Sequence, residues 1–362
     1  TLRDGEQMPG VVFRPEQKIE LAQRISGMGV DIIELMPAVS PSEAQVTEAI
    51  AGLGLDAEVT ASTMLRRQDI ELAAGCGVQS VTLFTSLSDI HLQHKLGITR
   101  EQNLERAIEM ADLALSHGLK VHFAGEDATR ADTDYLCHFA NSLPKGTGYF
   151  LVCDTLGCLT PRRAYSFFRE ICGRIRMPVG VHAHNDFGMA TANTLAAMSG
   201  GASVISGTFT GIGERAGNAP LEEVILALRF LYGRSLDVRY SELNELCSLV
   251  EGYSGVPLQA HKPVIGRNAF SHESGTHADG VIKHPATYEN FPPGFIGRER
   301  RILFGKHSGR RALEHFLGKG AGEGEISSLL ERIKSISESE KRSLSLEEVL
   351  DIHTNAVGGQ GA

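Results

Sequence analysis

The stretch M-P-V-G-V-H-A-H-N-D, residues 177–186, joins a short apolar run to two histidines spaced two residues apart. The apolar run predicts a β-strand, and residues i and i+2 of a strand face the same side, so His182 and His184 point to one place. Two imidazoles and a carboxylate from elsewhere form a divalent-metal site. A pair of structural histidines is the alternative interpretation of the same spacing.

One pattern recurs through the first two-thirds of the chain: a helix-period segment, a glycine, and then a short β-branched run. Glycine is a common C-cap of helices, and the short apolar run is typical of a buried parallel strand. With the strand before His182 and a strand end at Thr1–Asp4, the chain has eight β/α units, which predicts a (β/α)8 barrel. An open doubly wound sheet is the alternative, but the sequence lacks its glycine-rich dinucleotide turn. The six other units start near Gly27, Gly52, Gly75, His117, Gly146 and Gly200.

The pattern changes after Tyr232, which divides the chain into three predicted parts. We expect the catalytic barrel over 1–235, and a linker with a small, mostly helical, lid-like subdomain over 236–320. A C-terminal helical segment with a frayed tail is expected over 321–362. The sequence opens at Thr1 in what looks like the middle of an element, so a few N-terminal residues are expected to be missing.

The composition argues against some classes of binding partner. The 362 residues carry a net charge of −9 and a pI near 5.9, which argues against binding to nucleic acid or an anionic membrane. Apolar runs are strand-sized, and neither a membrane span nor a signal peptide is expected. The six cysteines are scattered without paired spacing, which favours reduced thiols in a cytoplasmic protein.

Polar residues follow nearly every predicted strand. Capping explains a single polar residue at a strand end, but not ionisable groups at almost all of them. Because the active sites of β/α barrels lie at the carboxyl ends of the strands, the pattern predicts an enzyme. The strand ends carry Arg3, Asp4, Gln7, Glu34, Glu126, Asp127, Asp154, Thr155, His182, His184 and the loop from Gly211 to Asn218.

Asp4 is the predicted third metal ligand, because barrel strands 1, 7 and 8 are neighbours; a salt bridge to Arg3 is the alternative. Two histidines and a carboxylate suit a Lewis-acid metal and also non-haem iron. Zinc, magnesium, manganese and cobalt all tolerate this set. The glycine-rich loop with Gly211 and Gly213 is a candidate for binding a pyrophosphate through its amides, and a tight structural turn explains it equally well.

Seven motifs together resemble the acyl-CoA-condensing synthases of the metal-dependent barrel superfamily: homocitrate synthase, 2-isopropylmalate synthase and (R)-citramalate synthase. The hydroxymethylglutaryl-CoA lyases share the barrel motifs but lack the subdomain, which favours condensation here. The motifs are T-L-R-D-G-E-Q at Thr1, S-D-I-H at Ser88, G-E-D-A-T-R at Gly125, H-A-H-N-D-F-G-M-A-T-A-N at His182, G-I-G-E-R-A-G-N at Gly211, H-E-S-G-T-H-A-D-G at His272 and G-K-H-S-G-R at Gly305.

The resemblance implies a transferase that joins the acetyl group of acetyl-CoA to a 2-oxo acid. It implies that a divalent metal chelates the oxo acid, that Arg3 stabilises the alkoxide, and that Gln7 and Thr155 position the oxo acid. It also implies a proton-abstracting base, for which there are two candidates. The implied ligands are Asp4, His182 and His184, with Asn218 nearby; the candidate bases are Glu126 and His277, with Tyr288 as a helper in thioester hydrolysis.

The resemblance further implies a homodimer in which the subdomain covers the partner's barrel. The motif sequences are most similar to those of homocitrate synthases, which favours 2-oxoglutarate as the substrate. However, His122 stands where some of them have an arginine for the distal carboxylate, so oxaloacetate, a phosphonate-bearing oxo acid, 2-oxoisovalerate and pyruvate remain alternatives. His91 and His122 are the predicted specificity residues, and His307 is interpreted as structural. A metal-dependent acyl-CoA or aldol lyase and a non-catalytic binding protein are the competing functions.

Overall fold

Seven parallel strands, hydrogen-bonded in the order in which they occur along the chain, form the sheet of the first of two units. The computed structural model describes residues 1–318 and 322–358. The consecutive order is that of the predicted β/α barrel, whereas a doubly wound sheet reverses its order. The strands are β1 (Ile32–Leu35), β2 (Glu58–Met64), β3 (Ser80–Ser86), β4 (Lys120–Glu126), β5 (Phe150–Asp154), β6 (Val179–Ala183) and β7 (Val204–Ser206).

Helices separate the strands of this unit. Ser40 and Thr160 accept backbone N–H groups of the first turns that follow them, and Thr99 and Gln102 form a capping box. The helices are α1 (Pro15–Gly27), α2 (Pro41–Ala51), α3 (Arg67–Gly75), α4 (Asp89–His91), α5 (Arg100–Ser116), α6 (Thr133–Ser142), α7 (Pro161–Cys172), α8 (Ala190–Gly200), α9 (Leu221–Phe230) and α10 (Leu243–Ser254).

The start of the chain differs from the expectation of an eighth strand. Among the described residues, Thr1–Asp4 makes no strand ladder; instead a 3-10 helix begins at Asp4. The Thr1 hydroxyl accepts the N–H of Phe209, just after β7, at 3.0 Å. Arg3 reaches Glu34 on β1. The segment therefore lies between the two edges of the sheet, and Asp4 faces the end of β6.

Side chains alternate along the strands as a buried sheet requires. Phe123 and Phe150 pack outward with Phe139 of α6 in the layer between sheet and helices. On the opposite face of the sheet, Leu151 and Cys153 of β5 belong to an inner cluster. Its other members are Ala124, Tyr149, Ile32, Phe84 and Val204. Because the alternation continues to the carboxyl ends of the strands, it determines which polar side chains enter the site.

The second unit begins at Leu258 and has its own core. It contains β8 (Ser271–His272), β9 (Arg301–Ile302), α11 (Gly275–Lys283), α12 (Arg310–Leu317), α13 (Glu323–Glu340) and α14 (Leu346–Gly358). The first unit thus runs to Pro257, past the predicted division at 235, and α10 packs on α1. Residues of α11, α12, α13 and α14 share one hydrophobic cluster around Phe304. The predicted tail from 359 lies outside the described residues.

Two composition-based expectations can be compared with the structure. Each of the six cysteines, all within the described ranges, is a free thiol. Among the helices of the described chain, none is both long and apolar enough to cross a bilayer.

Candidate metal centre and active site

The structure brings Asp4, His182 and His184 together at the carboxyl end of the sheet. Their ligand atoms all lie within 4.8 Å of one another, and all three side chains are buried. Asp4 Oδ2 is 3.2 Å from Nε2 of His182 and 3.8 Å from Nε2 of His184. The two Nε2 atoms are 3.2 Å apart. The three groups predicted as metal ligands therefore converge on one point.

The protonation states of this group suit a metal. Burial, with the charge of His182, lowers the pKa of His184 to about 4, so its imidazole is neutral at pH 7. Burial alone would raise the pKa of Asp4, but the hydrogen bond from His182 and the charge of Arg3 hold it far below its usual range. The Ser206 hydroxyl lies 3.0 Å from Nδ1 of His182, which leaves Nε2 directed at Asp4.

Asn218 tests whether this group fits a cation. It is fully buried, and its Nδ2 donates to Oδ1 of Asp4 at 3.0 Å. Its Oδ1 has no hydrogen-bond partner among the described residues. A buried orphan acceptor beside two imidazoles and a carboxylate is costly unless a further group binds there. The residues therefore fit a divalent cation with Asn218 as a further oxygen ligand.

Arg3 is held beside the ligand group by two carboxylates. Its NH2 is 2.8 Å from Glu34 Oε2, and its NH1 donates to Asp4 Oδ2 at 3.1 Å. Burial alone would lower the pKa of Arg3, but the charges of Glu34 and Asp4 outweigh it and raise the pKa above its ordinary value. Asp4 thus pairs with Arg3 while lying beside His182 and His184, and the guanidinium stays next to the site.

Four of the eight backbone N–H groups in the loop from Gly211 to Asn218 donate to protein acceptors. The N–H groups of Gly211, Gly217 and Asn218 donate to backbone carbonyls, and that of Glu214 donates to Asp4 Oδ1 at 3.2 Å. These donors are not available for a pyrophosphate. Of the two interpretations of the loop, the contacts favour the tight structural turn, which positions Asn218 and Asp4.

Gly213 leaves the space that the side chains of Asn218 and Asp4 occupy. A Cβ there would lie 2.0 Å from Asn218 Nδ2 and 2.9 Å from Asp4 Oδ1. We expect Gly213→Ala to displace both side chains and to lower metal affinity at least about tenfold. Equilibrium dialysis with Zn²⁺ or Mn²⁺ measures it. Gly27→Ala, where an added Cβ meets nothing within 4 Å, is the control. Equal metal affinity in both variants would contradict the assignment.

Glu126 is restrained at the end of β4. Lys95 donates to both carboxylate oxygens at 2.7 and 2.6 Å, and Ser86 donates to Oε2 at 2.7 Å. Burial alone would raise the pKa of Glu126, but these hydrogen bonds lower it. His91 lies against the same group, its Nδ1 3.2 Å from the Ser86 hydroxyl. The two predicted site residues, Glu126 and His91, are thus brought together by Ser86.

Thr155 and Gln7 are placed differently. The Thr155 hydroxyl accepts the N–H of Asp127 at 2.8 Å, which directs its own proton elsewhere. Its carbonyl accepts from Arg215, which also binds Asp186 through two nitrogens. Gln7 ends the 3-10 helix that starts at Asp4, and its side chain is exposed. Thr155 is therefore fixed in place with a proton to donate, whereas Gln7 is free to move.

His122 is not among the residues around the ligand group. It is the third residue of β4, its Nε2 is 2.8 Å from Glu58 Oε1, and its ring stacks on Tyr149 with centroids 4.0 Å apart. Glu58 is the first residue of β2, so this pair lies toward the amino end of the sheet. The predicted specificity role of His122 remains a prediction, and its Nε2 is already engaged.

Glu58 makes the stability of the first unit depend on pH. Burial alone would raise its pKa, but hydrogen bonds with Ser80, Lys120 and His122 lower it from 4.5 to about 2. A lowered folded-state pKa adds stability above pH 4.5 that is lost as the pH falls from 4.5 toward 2. We expect the difference in unfolding free energy between wild type and Glu58→Gln to shrink over that window. Urea titrations at stepped pH measure it, with Glu105→Gln as control. A constant difference would contradict the pairing.

In the second unit, His277 and Tyr288 form a pair. Their rings stack with centroids 4.0 Å apart and planes inclined by 22°. His277 is exposed on α11, and Tyr288 is 47% exposed. Two residues predicted to cooperate in proton transfer therefore touch, and both remain accessible.

Two family models and several known proteins match this chain. A model of the HMGL-like family matches residues 1–250, and a model described as the homocitrate synthase post-HMGL domain-like region matches residues 264–341. A probable 2-isopropylmalate synthase of Methanopyrus kandleri is 45% identical over 346 residues, which are 94% of this chain and 69% of that protein.

The chain belongs to the HMGL-like family. Within it, a homocitrate synthase of Methanopyrus kandleri is 43% identical, covering 93% of this chain and 86% of that protein. An (R)-citramalate synthase of Methanocaldococcus jannaschii is 42% identical, with 93% and 70% covered. This HMGL-like protein is thus an acyltransferase of the homocitrate and isopropylmalate synthase type, as the motifs predicted. The family is metal-dependent and uses acetyl-CoA.

Solved structures confirm the barrel fold of this HMGL-like chain. The HMG-CoA lyase of Bacillus subtilis superposes with a TM-score of 0.64 at 21% identity, covering 72% of this chain and 93% of the lyase. An HMG-CoA lyase of Acinetobacter baumannii, in complex with coenzyme A and 3-methylmalate, gives 0.62 at 20% identity, with 72% and 92% covered. At these identities the likeness shows the fold.

Several site residues of this HMGL-like barrel were not singled out from the sequence. Ser86 ends β3 at an inward-facing position, so the period of two was a usable signal for it. Ser206 has the same signal on β7. Lys95 had none, because it lies in a π-helical turn, Leu92–Leu96, and its partner is 31 residues away.

Proposed function

We propose that this enzyme condenses acetyl-CoA with 2-oxoglutarate, hydrolyses the thioester and releases CoA. The convergence of Asp4, His182 and His184 beside Arg3 is the observation that carries the proposal. When bound there, a divalent metal supplies Lewis-acid polarisation of a keto carbonyl. Asn218 completes the ligand set that the chain offers.

The other residues have roles that follow from their contacts. Arg3, kept charged by Glu34, donates hydrogen bonds to the oxygen that becomes an alkoxide. The Thr155 hydroxyl donates a hydrogen bond to the carboxylate of the oxo acid. The exposed Gln7 side chain closes over that carboxylate. Arg3 and Thr155 act as fixed donors, which stabilise developing negative charge without reorganisation.

A base must remove a proton from the acetyl methyl group. Glu126 is held in its carboxylate form by Lys95 with a lowered pKa, which makes it a weaker base than an unpaired glutamate. His277 has no such partner in its stack with Tyr288, so we assign proton abstraction to His277 and assistance in thioester hydrolysis to Tyr288. Glu126 then contributes charge beside His91.

A second candidate substrate is an oxo acid with a shorter or uncharged side chain, such as pyruvate, oxaloacetate or 2-oxoisovalerate. The contact between His122 and Glu58 favours it, because an engaged imidazole is a poor receptor for a distal carboxylate. Thiol release from acetyl-CoA, measured with a panel of oxo acids including phosphonopyruvate and a divalent metal, distinguishes these. Release with 2-oxoglutarate alone supports the proposal; release with another acid alone transfers it to that acid, and no release with any contradicts condensation.

We also propose a homodimer in which the second unit of one subunit serves the barrel of its partner. Co-expression of Asp4→Asn and His277→Ala chains tests it, because mixed dimers then contain one intact site. We expect activity to recover to about a quarter of wild type, whereas each variant alone keeps only a small residual activity. Failure to recover, with dimers present by light scattering, would refute the sharing of sites.

A further inference from the structure

We propose that Glu289 is a positioning residue that holds Tyr288 against His277, through His272 and Arg300. The inference rests on the proposed function, because it concerns the geometry of the pair assigned to proton transfer. It also gives a role to the first histidine of the H-E-S-G-T-H motif, which the condensation chemistry does not use.

The stack of Tyr288 on His277 depends on a space that α11 provides. Gly280 lies one turn after His277 on that helix. A Cβ at Gly280 would be 2.7 Å from Cε2 of Tyr288 and 3.0 Å from the Thr287 hydroxyl. Only glycine therefore lets the tyrosine ring lie flat on the helix, where it reaches the imidazole.

Space alone does not hold the ring, and Glu289 supplies the anchor. Its side chain is 3% exposed, and Arg300 donates to both carboxylate oxygens at 2.7 and 2.6 Å. His272 Nε2 lies 3.2 Å from Oε1 of the same carboxylate. A bidentate pair on a buried carboxylate is geometrically specific, unlike a single exposed ion pair. The backbone one residue after Tyr288 is therefore fixed.

Two contacts thus join the same pair of segments. His272 on β8 binds Glu289, and His277, five residues later, stacks on Tyr288. Tyr288 and Glu289 are adjacent in the chain, and both contact the segment that carries the two histidines. A shift at Glu289 therefore moves the Tyr288 ring relative to the His277 imidazole.

The test compares Glu289→Gln with Asp279→Asn, a change on α11 that removes an ion pair with Lys283 and Arg311. We expect Glu289→Gln to lower kcat about 10- to 100-fold with KM for both substrates unchanged. Asp279→Asn should leave kcat intact. The ring-current shift of the His277 protons in NMR should be lost in Glu289→Gln and in Gly280→Ala, and kept in Asp279→Asn.

A double-mutant cycle separates positioning from general damage. In the His277→Ala background, Glu289→Gln should cause no further loss of kcat, because its effect acts through His277. An equal loss in both backgrounds, or a Glu289→Gln enzyme with wild-type kcat and an unchanged ring-current shift, would overturn the inference. If His277→Ala itself retains full activity, the proposed function fails rather than the role of Glu289.

Discussion

Asp4→Asn is expected to lower kcat/KM for condensation by about a thousandfold or more, the largest effect on activity in this enzyme. The asparagine keeps the size of the side chain but removes its negative charge. The two imidazoles then lack the anionic partner that favours binding of a divalent cation. Arg3 also loses one of its two carboxylate partners, so its guanidinium is less well oriented at the site. Thiol release and bound-metal content, by mass spectrometry, measure both effects.

The control for this substitution is Asp134→Asn, which removes an exposed ion pair with Arg174 in the same unit. It should leave metal content and turnover at wild-type values. If Asp4→Asn binds metal as wild type does and turns over at a comparable rate, Asp4 is only the salt-bridge partner of Arg3, and the ligand assignment is wrong.

Lys18→Met is expected to cost about 3–5 kcal/mol of unfolding free energy, the largest loss of stability in the first unit. Lys18 on α1 is 1% exposed, and its ammonium lies 2.6 Å from Glu6 and 2.5 Å from Glu43. Methionine fills the volume but leaves two part-buried carboxylates facing each other without a cation. Glu6 also accepts the N–H of Phe13, so the 3-10 helix that carries Asp4 loosens with it.

Urea unfolding at pH 7 measures this loss, with Lys120→Met as the matched control. Lys120 also pairs with a glutamate, Glu58 at 2.9 Å, but its side chain is 68% exposed. Such a pair contributes at most about 1 kcal/mol. Similar losses in the two variants would show that burial of Lys18 does not set its contribution.

The parts of the site that were predictable from the sequence depend on local periodicity. The spacing of His182 and His184 required only that β6 be a strand, and the order of β/α units then brought Asp4 to them. The assignment of His277 and Tyr288 came from the resemblance of their motif, because nothing in their own spacing indicates a stacked pair. Gly280, which permits that pair, reads in sequence as an ordinary small helix residue.

The contacts that sequence reasoning missed join residues far apart in the chain. Lys18 reads as an exposed charge on a helix, and its burial depends on Glu6 and Glu43, 12 and 25 residues away. His122 meets Glu58 across 64 residues. A side chain's partner at such a distance is set by the packing of several elements, and no spacing rule along one element encodes it. The missing ladder at Thr1–Asp4 has the same origin.

The hydrogen bond between Asp4 and Asn218 spans 214 residues, nearly the whole of the first unit. During synthesis, every strand and most of the helices of that unit emerge before these two side chains can meet. A divalent ion bound by the proposed ligands would therefore report completed folding rather than early collapse, and would stabilise only the finished state. A chelator should accelerate unfolding of the first unit and leave the early steps of refolding unchanged, because the ion would bind only after the chain has folded.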